Sequence, residues 1–124
     1  MKSYTRVKLV QKIYEKINNP DGTVDFGKDP YLRHIKKVFR GYFEHNVELE
    51  EILEKNLSKD LNIKYLDNLL KIIIKSSIYE IKYCKKIPFK VVIDQYLHVT
   101  DAFYGHDQKR LVNGVLDSVA KAFD

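Results

Sequence analysis

Basic side chains recur at helical spacing near the start of the chain. Lys2 and Arg6 stand four apart, and Lys8, Lys12 and Lys16 repeat that interval. On a helix these become two adjacent rows of cations, a chemistry suited to the phosphates of a nucleic acid. Lysine offers a point charge and lacks the planar fork with which arginine grips phosphate or guanine. A second basic pair, Lys109 and Arg110, is expected at the start of the last helix, where free N–H groups and the positive end of the helix dipole also favour phosphate. Other chemistries find little support. His34, His45, His98 and His106 lack the spacing of metal ligands, so no metal site is expected. Cys84 is the single cysteine, which leaves no internal disulfide, and with no sequence-adjacent activating group beyond Lys82, Lys85 and Lys86 it is not expected to be catalytic. Gly22 and Gly27 precede no Lys-Ser/Thr pair, so no phosphate loop is formed. Nothing in the sequence assembles a reaction, and no enzyme or small-molecule substrate is expected.

The 124 residues suffice for one domain, and 44% apolar with 31% charged content is that of a folded soluble protein. The formal charge of +5 points weakly to a polyanionic partner. Its distribution says more. The first twenty residues hold Lys2, Arg6, Lys8, Lys12 and Lys16 against Glu15, whereas Glu44 to Asp60 holds six acids against Lys55 and Lys59. No apolar run nears the ~20 residues of a membrane span, and the start lacks a signal-peptide core, so a cytoplasmic protein is expected.

Six helices can position these residues. Val7, Val10, Tyr14 and Ile17 give the first a helical stripe from Ser3 to about Asn18, after which Pro20, Gly22 and Gly27 mark a loop anchored by Val24 and Phe26. Asp29-Pro30 predicts a cap and first turn for a helix running to about His45, and Asn46 a cap for the next. Tyr65 to Tyr83 is apolar over much of its circumference and reads as a buried central helix, with Ser76-Ser77 allowing close contact. Pro88 opens the fifth helix, Gly105 closes it, and Asp107 is expected to cap the sixth. Asn113-Gly114 lies inside that last helix, where glycine costs about 1 kcal/mol. Tight packing at Gly114 and a hydrogen bond from Asn113 are the expected compensation.

Three ordered segments carry a family resemblance: Ile78-Tyr79-Glu80-Ile81, Ile87-Pro88-Phe89-Lys90-Val91-Val92-Ile93-Asp94, and Leu111-Val112-Asn113-Gly114-Val115-Leu116-Asp117. Together they resemble the NusB transcription-antitermination family, and Thr5 to Tyr14 is similar to its basic first helix. The resemblance implies an all-α bundle of six to seven helices in two packed three-helix subdomains, about 1–60 and 61–124. It implies no cofactor, and binding of boxA-type single-stranded leader RNA together with the small-subunit ribosomal protein NusE. It further implies action on the RNA polymerase elongation complex during ribosomal RNA transcription. On that reading Lys2, Arg6, Lys8, Lys12, Lys109 and Arg110 contact RNA, and Tyr14, Glu80 and Asp107 face the protein partner. The family often has an aromatic residue where this chain has Leu111; Tyr4 or Tyr104 are alternative stacking residues.

Two other readings compete. A relative of the NusB-like domain fused to RNA methyltransferases would need a cofactor domain for which the chain has no room. A helical protein-interaction module without specific RNA binding would make the basic charge incidental.

Overall fold

A computed structural model describes residues 3–123, with side chains from Tyr4 onward. Lys2 therefore lies outside the described residues. The described chain is all-α: α1 Ser3–Asn18, α2 Leu32–Glu44, α3 Asn46–Asn56, α4 Asn68–Tyr83, α5 Phe89–Phe103 and α6 His106–Phe123, with a single 3-10 turn at Ile63–Tyr65. There is no strand among the described residues.

α4 is the axis of the packing. The other five helices all pack against it, and every residue from Ile72 to Ile81 is buried. That burial explains why its sequence is apolar over much of its circumference rather than on one stripe. Its β-branched run, Ile72-Ile73-Ile74, meets the buried faces of the neighbours, including Leu9 and Ile13 of α1, Ile35 and Val38 of α2, and Val112 and Leu116 of α6. Ser76 and Ser77 are buried as well, and the Ser77 hydroxyl donates to the Ile74 carbonyl at 2.6 Å.

Close approach decides the α2–α4 crossing. A Cβ on Gly41 would lie 2.1 Å from ring atoms of Tyr79, so any side chain there would have to displace that ring. Between α1 and α2, Phe26 packs edge-on against Phe39 at 5.0 Å between ring centroids, giving the loop the anchor its sequence suggested.

Helix starts differ from their expected chemistry. α2 begins at Leu32, beyond Pro30, because Asp29 closes a local turn by accepting from the Tyr31 N–H at 2.8 Å. Asn46 does not cap α3; its side chain instead accepts a bond from Lys75. α4 starts at Asn68 rather than Tyr65. Pro88 occupies the position before α5, and α6 starts at His106, so Asp107 sits inside its first turn.

The compensation expected around Gly114 is absent. Asn113 and Gly114 are both exposed, and a Cβ on Gly114 would meet nothing within 4 Å. Packing does not explain this glycine.

Candidate nucleic-acid interface

The cations expected to bind RNA fall into three structural groups. Arg6 is the clearest correction, since it is 1% exposed and makes a two-point pair with Glu80. Its Nε donates to Glu80 Oε2 at 3.0 Å and its Nη2 to Oε1 at 2.8 Å. Glu80, expected on a partner-facing surface, is 0% exposed. His34 Nε2 lies 2.8 Å from the same carboxylate, and the Tyr96 hydroxyl donates to it. One carboxylate thus joins side chains from α1, α2 and α5 to α4. Burial opposes ionisation of Glu80, but hydrogen bonds from His34 and Arg6 outweigh it and leave the carboxyl below its usual range. Burial likewise opposes the Arg6 charge, and Glu80 reverses the balance, so the guanidinium is held more firmly protonated.

The lysine row of α1 is only partly available. Lys8 is 3.7 Å from Asp29 and Lys12 is 3.5 Å from Glu15. Lys16 donates to the Gly22 carbonyl at 2.9 Å. Lys8 and Lys16 therefore clasp the loop that follows their own helix, a structural use of a charge stripe.

The third group opens α6. Lys109 pairs with Asp101 at 2.8 Å, while Arg110 is exposed. Beside them lies a cleft of about 390 Å³ lined by Tyr65, Leu66, Tyr104, Asp107 and Leu111 among others. Tyr65 is 87% exposed, and the Tyr104 hydroxyl bonds Asp67. Burial first, then Asp67, raises the Tyr104 pKa, so the ring is held as a neutral phenol. Leu111 thus has aromatic neighbours in space that its helix does not supply. Tyr104 was legible as a candidate; Tyr65 was not, because it reads as the first turn of a buried helix. Tyr14, at 43% exposure, and Asp107 are both exposed. α1 and α6 each pack on α4 and α5.

Sequence reasoning also missed a basic cleft on α2. A cavity of about 790 Å³ is lined by Arg33, Lys36, Lys37, Arg40 and Lys86 against one carboxylate, Glu44. The signal was present as basic residues three and four apart, but they are interleaved with the apolar stripe that defines the helix.

Among the described residues, no group of three or more His, Cys, Asp or Glu side chains is placed to hold a metal, and no helix is long and apolar enough to cross a membrane. Burial pushes the Cys84 thiol up, away from thiolate chemistry.

Residues 9–121 match the profile of the NusB family. The chain belongs to the NusB family. The transcription antitermination protein NusB of Brucella ovis is 31% identical over 100 residues, which make up 81% of this chain and 57% of that protein. The Brucella suis protein of the same name gives the same values. The chain spans 57% of the length of these curated relatives. Among solved structures, T. maritima NusB superposes with a TM-score of 0.82, covering 98% of this chain and 93% of that one at 20% identity. That likeness establishes the NusB fold. The expected fold class and family are therefore both met.

Proposed function

We propose that the chain is a transcription antitermination factor that binds boxA-type single-stranded leader RNA together with the small-subunit ribosomal protein NusE. In this reading it acts in the cytoplasm on the RNA polymerase elongation complex and supports ribosomal RNA transcription. Membership of the NusB family over residues 9–121 carries the proposal. Its RNA contacts are Arg110 and Lys109 beside the Tyr65–Tyr104–Leu111 cleft, with Lys8, Lys12 and Lys2 contributing from the first helix. Tyr14 and Asp107 are the partner-facing residues. Arg6 and Glu80 keep a role inside the fold, where they position α1 against α4. No catalytic step is required, since two modest binders sharing one RNA gain affinity by acting at high mutual effective concentration.

Charge removal at Lys109 and Arg110 tests the RNA surface. The double glutamine variant should lose boxA affinity about tenfold while keeping its melting temperature. Unchanged affinity would remove α6 from the RNA surface. The loop-bound lysines of α1 favour a second reading, a helical protein-interaction module, which predicts nearly salt-independent partner binding and no RNA binding at low salt.

A further inference from the structure

The cations expected to meet RNA on α1 are largely paired within the fold, whereas those of α2 form no ion pair among the described residues. None of Arg33, Lys36, Lys37, Arg40 and Lys86 takes part in an ion pair among the described residues, and all five are exposed. They gather around one cavity with the single carboxylate Glu44, so like charges crowd together without internal compensation. Such an arrangement costs stability through self-repulsion unless an anion relieves it. Gly41 and Tyr79 belong to the same cavity, placing its wall at the tight α2–α4 crossing, on regular secondary structure.

A second cavity adjoins it. This groove, about 510 Å³, is lined by Phe26, Phe39 and Phe43 with Lys16 and shares Lys36, Arg40 and Glu44 with the basic cleft. Phe39 and Phe43 meet edge-on at 5.1 Å, and Phe43 is 37% exposed. Lys36 Nζ lies 5.9 Å from the Phe26 ring centroid. Lys36 and Arg40, one turn apart, thus form a cationic ridge with a basic cleft on one side and aromatic rings on the other. Their axial separation is about 6 Å, a step compatible with neighbouring phosphates of an extended strand. Cations beside accessible aromatic faces are the combination that holds single-stranded nucleic acid, phosphate on charge and base on ring.

We propose that α2 forms a second, sequence-tolerant surface for single-stranded RNA, with phosphates in the Arg33–Lys37–Arg40–Lys86 cleft and a base against Phe43 and Phe39. The inference rests on RNA being the ligand of this chain, and extends its path from the α6 cleft to a separate face. An acidic peptide would satisfy the charges and leave the aromatic groove unused.

The test uses the full chain with a short labelled oligouridylate, a boxA-like RNA and polyglutamate, each titrated across a salt series. Arg33→Gln/Lys37→Gln/Arg40→Gln should weaken oligouridylate binding about tenfold or more and flatten the log–log salt slope by about 2, near 0.7 per lost phosphate contact. Phe43→Ala should weaken RNA binding about fivefold or more with the slope unchanged, and leave polyglutamate binding untouched. Exposed positions keep both variants folded, which a thermal melt confirms. RNA binding by the parent with no change in either variant overturns the second surface and leaves the α6 reading standing. Equal losses for RNA and polyglutamate, with Phe43→Ala silent, also overturn it in favour of an acidic peptide. A parent that binds no RNA overturns both.

Discussion

Arg6 and Glu80 lie 74 residues apart in the chain and meet through two hydrogen bonds of 3.0 and 2.8 Å in the core. A buried pair of this kind stabilises weakly compared with apolar replacements, but breaking it strands a charge away from water. Arg6→Ala should therefore destabilise the protein by about 3–5 kcal/mol, read from urea denaturation at neutral pH. Replacing both partners, Arg6→Met with Glu80→Gln, should cost less than the sum of the two single changes. Additive losses would show that the pair is not energetically coupled.

The same carboxylate predicts an acid limb. Glu80 is held below its ordinary range in the folded protein, so its contribution is fully present above the unfolded value near ~4.3. Between the folded and unfolded values the unfolded state binds more protons, so stability is lost as pH falls through that window. The urea midpoint should drop as pH falls below about 5, and Glu80→Gln should flatten that drop. A parallel acid limb in the variant would assign the loss to other carboxylates.

Two glycines should respond in opposite directions. Gly41→Ala forces a methyl group to within 2.1 Å of the Tyr79 ring and should lower the melting temperature by several degrees, a loss of ~1–3 kcal/mol. Gly114→Ala adds its methyl in open space within a helix and should stabilise by up to ~1 kcal/mol. Differential scanning calorimetry distinguishes them. A stabilising Gly41→Ala would mean that the Tyr79 ring can move aside without cost.

What the sequence disclosed follows from what is local. The six helices were legible because their apolar residues repeat with the helical period, and α4 because apolar residues cover much of its circumference. Arg6 was misplaced for the same reason. Its spacing from Lys2 suggested a surface row, while its position beside Val10 and Ile13 on the buried face pointed inward, and only the fold brings Glu80, His34 and Tyr96 to meet it. Asn46 has the residue type of a cap, yet its side chain serves Lys75 across the α3–α4 contact. Asn113-Gly114 was read as a packing device because glycine in a helix needs compensation, but both residues face solvent. The α6 cleft combines Tyr65, Tyr104 and Leu111 from separate segments, a grouping that no spacing rule along one helix contains.

The function proposed for this NusB-family chain is joint recognition of boxA-type RNA with a NusE-type ribosomal protein. Its most direct test is binding of labelled boxA-like RNA and a scrambled control across a salt series, with and without that protein. Binding should be selective, tighten when the partner is present and weaken with salt by a log–log slope of about 0.7 per phosphate contacted. Equal affinity for both RNAs under either condition would contradict it and leave a NusB-fold protein-interaction module in its place.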